Sequence, residues 1–518
     1  MIARRTLLGA GAAAIAAGPL LRADVPDHLW QGYDFGPGPK AADRLNQGPF
    51  PVEQDDGWRT LATTTQSAKP VRNFGLGLCG YTWEESGPSL AVRAGKQTLE
   101  DHVERMATLP FVDVLYTRCE WRDVQSQPGR LDLNPVWKLT FDAAKSYGKR
   151  VAFRVMMSNS VFQPKRLAMP DFLLGKVPVV SIGRAHDLGG DVEFREPRYD
   201  HPEFLRAFRE LNELLAAEFD GHAQAEFADL MMYGLWGEGH TSDMPSPFPD
   251  YLTAERTMVE ITRLQLDAWK KTPLAVNTQP DISRVGNREV QDMCVRAGCW
   301  LRSDSILDIE EPLQIEILAH RPPWLAAVME DGEHRDYDVN TIPLDSAGIN
   351  EREKAMLHVL DLDANYWSLW TESENLKRYN ERYPRGFSAL QQRMGYRVRP
   401  SWVWQRKRYG TSEVIVAVAN DGVAGVPGVL RLSLESVDGK LRISGGLDAG
   451  HPYGGGIREA SFVLPGEIAD RRFKLRAEIE VKGVRHPVQW ACEQPLEADG
   501  SFLIELQPPD APGWRKGV

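Results

Sequence analysis

Basic clusters, cysteines and long hydrophobic runs are all scarce in this sequence of 518 residues. The net charge is −11 and the pI is near 5.6. No long block of basic residues occurs, so binding to a phosphate backbone is excluded as the main task, and nucleic acid is not an expected partner. The apolar run from Gly9 to Leu21 covers about 13 residues, fewer than the roughly 20 that span a bilayer. No integral membrane segment is expected in the mature chain.

Cysteine is too sparse to suggest a metal centre or a disulfide framework. Cys294 and Cys299 lie near each other, but no further Cys or His pair stands at the spacing of a zinc site. The sequence therefore predicts buried free thiols, with one disulfide open as the alternative in an oxidising compartment. Neither a metal nor an organic cofactor is expected. The cysteines are Cys79, Cys119, Cys294, Cys299 and Cys492.

Residues 1–23 have the pattern of a cleaved export signal. Arg4 and Arg5 precede Thr6 and the apolar, alanine-rich run. The paired arginines resemble a twin-arginine signal, and an ordinary secretory signal is the alternative. No cysteine directly follows the run to accept a lipid. Under either alternative we expect a soluble periplasmic or secreted protein.

Residues 73–395 alternate short apolar runs with amphipathic stretches, which is typical of repeated βα units around a parallel sheet. Helices are predicted near 97–108, 203–219, 254–270 and 385–394. Eight strand-like runs occur, and eight parallel strands close a (β/α)8 TIM barrel. The runs lie near residues 73–80, 112–118, 151–158, 228–236, 273–277, 300–304, 324–330 and 364–370.

The sequence changes character after residue 395. Residues 396–518 contain alternating apolar and polar runs, such as Val414–Val418 and Phe502–Leu506, separated by turn residues such as those at 420–422. This pattern predicts an antiparallel β-sandwich of about 110 residues. The segment 24–72 has no clear period, and we expect it to wrap around the barrel.

One predicted connection is much longer than is usual between barrel elements. About 40 residues separate the third strand from the next helix, and loops of that length are usually functional or disordered. The segment contains the run Met169–Leu174 and His186. We expect this loop to lie over the active-site face.

Two glutamates fall at predicted strand ends, where barrel residues face the active site. Glu238 closes the fourth run and Glu330 closes the seventh. They are 330 − 238 = 92 residues apart, or about 31 for each of three βα units, which matches a barrel of roughly 250 residues. Glycoside hydrolysis uses a pair of carboxyl groups on either side of the scissile bond, so a carbohydrate substrate is expected.

This arrangement resembles clan A, the largest clan of retaining glycoside hydrolases, in which the acid/base closes the fourth strand and the nucleophile closes the seventh. The resemblance implies that Glu238 is the acid/base and Glu330 the nucleophile. The chain also resembles a poorly characterised bacterial barrel-plus-sandwich family with a W-G-E-x-H motif and an L-G-Y-R strand after the barrel. The matching residues are Trp236-Gly237-Glu238-Gly239-His240 and Met394-Gly395-Tyr396-Arg397.

The sequence departs from the clan-A pattern in two places. Gly237 stands before Glu238, where most clan-A enzymes have an asparagine that binds the sugar 2-hydroxyl. Asn277 or Gln279, at the end of the fifth run, could supply that contact instead. The segment from Cys119 to Asp132 also lacks the glutamate that precedes a proline in the clan.

Tryptophans at predicted strand ends are candidates to stack on sugar rings, and core packing is the alternative for each of them. The resemblance favours Trp367 and Trp370, because clan-A barrels commonly place tryptophan after strand eight. The full set is Trp83, Trp121, Trp236, Trp367 and Trp370.

Two arginines on predicted strands have three open roles. Arg118 and Arg154 could orient Glu330 and lower its pKa, since an adjacent cation favours the charged form of a carboxyl group. They could also form structural ion pairs with Glu120 or Asp123. The third alternative is that they bind an acidic sugar.

Three further residues have paired interpretations. His240 could tune the neighbouring acid or contact substrate, and a structural hydrogen bond is equally open. Asp304, which ends the sixth run, could bind a sugar hydroxyl or cap a loop. Glu333 is an alternative nucleophile to Glu330, which we favour because it falls at the expected strand end.

The predicted mechanism is hydrolysis in two steps with retention of configuration. Glu330 attacks the anomeric carbon, and Glu238 protonates the leaving sugar and then activates water. The two carboxyl groups of such enzymes lie about 5 to 5.5 Å apart. A glycan-binding protein without activity is the alternative, because a fold does not determine catalysis. A lyase or a metal-assisted hydrolase would instead require a bound metal or a dominant Asp/His cluster.

Overall fold

An eight-stranded parallel barrel and two antiparallel sheets account for most strands of the computed structural model. The predicted export signal lies outside the described residues. Those residues are 58–159, 166–183, 193–234, 236–241, 247–278, 286–303, 305–306, 312–332, 351–408, 411–465 and 471–508.

The parallel strands close into a barrel in chain order, with the last strand paired to the first. This confirms the predicted (β/α)8 fold, and each strand overlaps its predicted run. The barrel strands, one to eight, are Gly77–Trp83, Val114–Glu120, Arg150–Met156, Ala225–Asp229, Leu274–Asn277, Trp300–Ser303, Ala327–Glu330 and Tyr366–Leu369. We call the carboxyl ends of these strands the mouth and their amino ends the floor.

Alternation along each strand divides the barrel side chains between two cores. In the third strand, Ala152 faces the interior, whereas Val151 and Phe153 pack against the surrounding helices. In the sixth strand, Trp300 fills the interior and Leu301 faces the helices. Because side chains alternate between faces, the residue two positions beyond an interior apolar residue also points inward, closer to the mouth.

Helices cover the outside of the barrel. The helix Pro202–Phe219 begins with proline and buries Phe204, Phe208 and Leu211, which recur at helical spacing on one face. No described helix is long and apolar enough to cross a membrane. The helices are Leu90–Arg93, Leu99–Thr108, Pro135–Ser146, Pro202–Phe219, Tyr251–Ala268, Gly286–Arg296, Pro312–Ala319, Glu351–Asp361, Ser373–Arg382 and Pro384–Arg393, with 3-10 turns at Trp121–Asp123 and Asp171–Leu173.

Two antiparallel sheets form the predicted C-terminal sandwich. Alternate residues such as Val414, Val416 and Val418 are buried in its core. The strand Trp58–Thr63 lies in the segment that we expected to wrap the barrel, but it pairs with Val398–Arg408 and so extends a sheet. The first sheet contains Trp58–Thr63, Val398–Arg408, Thr411–Asn420 and Ile457–Leu464, and the second contains Val429–Ser436, Arg442–Gly446, Arg472–Val481, Val484–Val488 and Phe502–Glu505.

The sandwich covers the floor of the barrel. Phe74, just before the first strand, stacks on His486 of the second sheet with ring centroids 3.7 Å apart. The side chain of Asn73 exchanges two hydrogen bonds with the backbone of Gln489, at 3.1 and 2.8 Å. One hydrophobic core runs from the barrel interior into the sandwich. The floor is therefore an interface within the chain, and the mouth is the end at which barrels carry their sites.

The long connection after the third strand contains a two-stranded ribbon, Val179–Gly183 with Phe194–Pro197. Ile182 in this ribbon belongs to a small apolar cluster against which Trp236 packs. The ribbon therefore contacts the loop that follows the fourth strand, as expected of a segment on the active-site face. His186 lies outside the described residues.

Candidate active site

Glu330 ends the seventh barrel strand, at the predicted position, and is buried in the mouth. Its Oε1 accepts hydrogen bonds from the Tyr81 hydroxyl at 3.1 Å and from Arg118 at 2.5 Å. Its Oε2 lies 2.8 Å from Arg302. Hydrogen bonds between charged groups are short and directional, so these partners fix the orientation of the carboxylate.

Glu238 does not close the fourth strand, contrary to the prediction from the apolar run. That strand ends at Asp229, so Glu238 follows it by 238 − 229 = 9 positions. The apolar residues beyond Asp229 enter a turn instead, in which the Gly237 N–H donates to the Gly234 carbonyl at 3.1 Å. The turn brings the chain back over the barrel, and Glu238 is buried in the mouth.

Glycines make this turn possible. Gly234 and Gly237 have φ values of +100° and +73°, which residues with a Cβ rarely adopt. A Cβ on Gly234 would also lie 2.6 Å from the carbonyl oxygen of His240. Trp236 itself has a φ of +58°, an unfavourable value for a bulky residue that the surrounding structure must hold.

A closed ring of alternating charges spans the mouth, and we call it the ion-pair ring. Five barrel strands and the loop after the fourth strand each contribute one member. All members are buried, and the formal charges of three carboxylates and three guanidinium groups sum to zero. In order around the ring, the members are Asp229, Arg154, Glu238, Arg118, Glu330 and Arg302.

Arg118 is the member that joins the two glutamates. Its guanidinium lies 3.3 Å from Glu238 Oε1 and 2.5 Å from Glu330 Oε1, and it also contacts Glu85. The shared guanidinium therefore brings the two carboxylates to the same part of the mouth. That is the chemical arrangement that glycoside hydrolysis requires.

The ring sets the protonation state of Glu238. Burial by itself raises the pKa of Glu238, but Arg154, Arg118 and His240 together hold the pKa well below its usual value. The nearest ring nitrogen of His240, Nε2, lies 3.4 Å from Glu238 Oε2. Glu238 is therefore ionised at neutral pH with these partners, whereas a general acid needs a proton.

A second buried acid lies at the rim outside the ion-pair ring. Burial raises the pKa of Glu120 to about 7, against the opposing effects of Arg166 and Asn159. Arg166 lies 2.7 Å from Glu120 Oε2, and Asn159 donates to Oε1 at 2.8 Å. The partner of Glu120 is thus Arg166, and the alternative pairing with Arg118 or Arg154 is not observed.

Two of the predicted sugar-stacking tryptophans lie in the core instead. Trp121 is fully buried and packs edge to face on Phe204 of an outer helix. Trp367 is fully buried and packs edge to face on Tyr379. Because Ser368 points into the barrel, its neighbour Trp367 must point out towards the helices. Neither indole offers a free face to a sugar.

The other three tryptophans are partly exposed. Trp83 ends the first barrel strand. Trp236 contacts His240 edge to face, with ring centroids 5.4 Å apart. The indole N–H of Trp370 donates to the carbonyl of Asp331 at 2.7 Å. These three remain candidates for contact with a sugar ring.

Asn277 ends the fifth strand, and its amide donates to the backbone carbonyl of Glu238 at 3.2 Å. It therefore supports the loop that carries Glu238. Gln279, Asp304 and Glu333 lie outside the described residues, and their roles stay predictions.

No model of a known protein family matches the chain. No curated protein matches it either. Among solved structures, the catalytic domain of β-amylase from Paenibacillus polymyxa is 10% identical with a TM-score of 0.37, over 59% of this chain and 94% of that one. Endo-glycoceramidase II from Rhodococcus sp. is 12% identical with a TM-score of 0.36, over 77% and 100%.

Endo-β-1,4-glucanase B from Bacillus halodurans is 9% identical with a TM-score of 0.40, over 82% of this chain and 99% of that one. All three names are those of glycoside hydrolases. At these identities and TM-scores, the similarity goes no further than the barrel fold and carries no argument about the activity of this chain.

Two members of the ion-pair ring, Asp229 and Arg302, are not among the site residues predicted from the sequence. Asp229 follows the interior Phe227 by two positions, and Arg302 follows the interior Trp300 by two positions. Period-two alternation therefore would have placed both side chains in the mouth. The apolar run continues beyond Asp229, so the predicted strand end lay nine positions later, at Glu238. The predicted end of the sixth strand lay at Asp304, two positions beyond Arg302.

Within the part of the chain that the structure describes, no cluster of three or more His, Cys, Asp or Glu side chains is arranged to hold a metal ion. All five cysteines are free and buried. In the ion-pair ring each carboxylate is contacted by arginines, so its oxygens are positioned by cations that belong to the protein itself.

Proposed function

We propose that the protein hydrolyses a glycosidic bond with retention of configuration at the anomeric carbon. The observation that carries this proposal is the sharing of Arg118 by Glu238 and Glu330, which brings two buried carboxylates together in the mouth. Paired carboxyl groups at this end of a barrel suit acid and nucleophile roles in glycoside hydrolysis. Partly exposed indoles nearby suit a carbohydrate, because they can pack on the apolar face of a sugar ring.

Glu330 is the proposed nucleophile and Glu238 the proposed acid/base. In the first step, a Glu330 oxygen bonds to the anomeric carbon while the glycosidic C–O bond breaks and Glu238 gives its proton to the departing oxygen. In the second step, Glu238 takes a proton from water, whose oxygen attacks the same carbon and releases Glu330. Arg118 and Arg302 hold the nucleophile in place throughout.

Glu238 must gain a proton before the first step. Because Arg154 and Arg118 hold its pKa low, the competent state carries one more positive charge than the ion-pair ring at neutral pH. A sugar that moves one guanidinium away from Glu238 would raise the pKa, since burial alone already raises it. The proposal therefore includes a rearrangement of the ring on substrate binding.

Hydrolysis of a panel of aryl glycosides and polysaccharides tests the proposal, with Glu238→Gln and Glu330→Gln as variants. Glu226→Gln is the matched control, because Glu226 is also buried and paired with an arginine but lies at the floor. We expect turnover by the natural protein, retention in the first-formed sugar by NMR, and loss of turnover in the two mouth variants alone. Inversion, or an active Glu330→Gln, would contradict the assigned roles.

A second candidate function is glycan binding without hydrolysis. The observation that favours it is the ion pairing of Glu238 with two arginines, which opposes protonation of the acid. Calorimetric binding of an oligosaccharide that the natural protein never hydrolyses would establish this function. Binding would then persist in Glu238→Gln and Glu330→Gln.

We also propose that residues 1–23 direct export and are removed. The paired arginines, Arg4 and Arg5, before an apolar run support this proposal. Determination of the mature N-terminus from the producing cell, with and without Arg4→Lys and Arg5→Lys, tests it. An intact N-terminus on exported protein would contradict removal.

A further inference from the structure

We infer that Asp229 is a positioning residue that holds both glutamates of the active site through their arginines. The roles of those glutamates rest on the proposed function, whereas the contacts do not. Asp229 ends the fourth barrel strand, and its side chain is only 1% exposed. It therefore belongs to a barrel strand, whereas Glu238 lies in the loop beyond that strand.

A single oxygen of Asp229 connects the two arginines. Its Oδ2 lies 2.7 Å from one terminal nitrogen of Arg154 and 3.3 Å from one terminal nitrogen of Arg302. The second terminal nitrogen of Arg154 contacts Glu238, and that of Arg302 lies 2.8 Å from Glu330. In each arginine, one terminal nitrogen therefore contacts Asp229 and the other contacts a glutamate. These two contacts fix the orientation of the planar guanidinium.

The surroundings hold Asp229 itself in place. The hydroxyl of Tyr116, from the second strand, donates to the same oxygen. The Tyr116 ring also lies beside two guanidinium groups, with the Cζ atoms of Arg118 and Arg302 at 5.2 and 5.5 Å from its centroid. The carboxylate, the phenol and the arginines therefore form one connected unit below the two glutamates.

Charge balance gives Asp229 a second effect. With Asp229 the ion-pair ring has as many carboxylates as guanidinium groups, and without it the ring has two glutamates and three arginines. Glu85, which contacts Arg118, and His240, beside Glu238, lie outside the ring and are unchanged by the loss of Asp229. An excess of nearby positive charge lowers the pKa of a carboxyl group. Loss of the Asp229 charge is therefore expected to make Glu238 harder to protonate and Glu330 a weaker nucleophile.

Asp331 provides a matched control for Asp229. It is equally buried, follows Glu330 directly, and pairs with Arg352 at 2.8 Å. Its side chain is not a member of the ion-pair ring. Asp331→Asn therefore removes a comparable buried ion pair at the same rim without changing the charge of the ring.

Kinetics across pH on an aryl glycoside test the inference in Asp229→Asn and Asp331→Asn. For Asp229→Asn we expect kcat to fall at least about tenfold, because one pKa unit of the acid is a tenfold change in its protonated fraction, with KM changed less than about twofold. The pH above which the rate declines should move down. Asp331→Asn should lose thermal stability without that movement, and equal movement in both variants would overturn the inference.

Carbon-13 NMR of glutamate-labelled protein separates this inference from the proposed function. The carboxyl signals of Glu238 and Glu330 are assigned with their Gln variants, and we expect both to shift in Asp229→Asn and neither in Asp331→Asn. This result in a protein that hydrolyses no glycoside would reject the proposed function and keep the positioning role. Unchanged signals in Asp229→Asn would reject the role, whatever the activity.

Tyr116→Phe covers the case in which Asp229→Asn does not fold. The change keeps the aromatic ring beside Arg118 and Arg302 and removes only the hydroxyl that donates to Asp229. Without the Tyr116 donor, Asp229 interacts more strongly with Arg154 and Arg302. The two arginines then interact less strongly with Glu238 and Glu330. The Glu238 signal should then titrate at higher pH, the direction opposite to that for Asp229→Asn. No change, or a change in the same direction, would contradict the inference.

Discussion

The floor and the mouth of the barrel each bury a glutamate against arginine, and the two groups differ in their titration. At the floor, Glu226 accepts hydrogen bonds from Tyr366 and from the Gly75 N–H at 2.9 Å and pairs with Arg150. Burial raises the pKa of Glu226, and these partners do not offset it. At the mouth, the partners of Glu238 more than offset burial, and its pKa is low.

The number of cations explains the difference. Glu226 has one guanidinium, whereas Glu238 has two and a histidine beside it. One nearby cation lowers the pKa of a buried carboxyl group by less than burial raises it. Two cations can lower the pKa by more than burial raises it. The floor cluster therefore suits a structural role next to the sandwich, while the ion-pair ring holds a charged carboxylate pair where barrel enzymes act.

The largest expected effect separates the two ends by activity. Glu330→Gln should lower kcat on any substrate of the natural protein by about a thousandfold or more, because it removes the proposed nucleophile. Glu226→Gln at the floor should keep kcat within a few fold and lower the melting temperature. Steady-state kinetics and thermal unfolding of both variants test this. A similar loss of kcat in both would remove the distinction between floor and mouth.

Arginine replacement compares the two ends by stability and by titration. Arg150→Met should destabilise the fold by about 3 to 5 kcal/mol, since it leaves the buried Glu226 without its cation. Arg154→Met should cost less, because Glu238 keeps Arg118 and Asp229 keeps Arg302. Only Arg154→Met should raise the pKa of Glu238, because it removes one of the cations that hold this pKa low. Urea unfolding and the pH dependence of kcat/KM measure the two effects. An equal movement of the pH profile in Arg150→Met would contradict a special role for the mouth.

The pH dependence of the natural protein follows from the low pKa of Glu238. Protonated Glu238 is needed for the first step, so kcat/KM should rise as pH falls towards that pKa and be low at neutral pH. Stability has the opposite sign, because a depressed pKa contributes stability above the unfolded value of about 4.3 and loses it as pH falls through the folded value. Measurement of kcat/KM and of the free energy of unfolding from pH 3 to 8 checks these two expectations. A rate that is highest above pH 7 would contradict the acid role.

The smallest expected effect concerns the partly exposed indoles. Trp370→Ala should raise KM several fold, as expected for the loss of an aromatic contact of about 0.5 to 1.5 kcal/mol, with little change in stability. Trp367→Ala, three positions earlier and in the core, should instead lower the melting temperature and leave KM unchanged. Kinetics and thermal unfolding of the pair test the assignment. A rise in KM for Trp367→Ala would contradict the assignment of Trp367 to the core.

Local pattern was sufficient for much of the fold and for one glutamate. The apolar runs predicted all eight barrel strands because burial on both faces of a parallel strand leaves a continuous hydrophobic signature. Glu330 ends its strand as expected. Glu238 was misplaced relative to its strand, because an apolar stretch beyond Asp229 is buried in a turn rather than in the sheet.

The sequence by itself determined the number of barrel strands, the sandwich and the position of Glu330 at the end of its strand, because these depend on periodicity along the chain. Only the tertiary structure decided the ion-pair ring, since its members come from five strands and a loop that meet when the barrel closes. It also decided which tryptophans face the core. The protonation state of Glu238 depends on distances between groups that are far apart in the chain, and no local pattern encodes those distances.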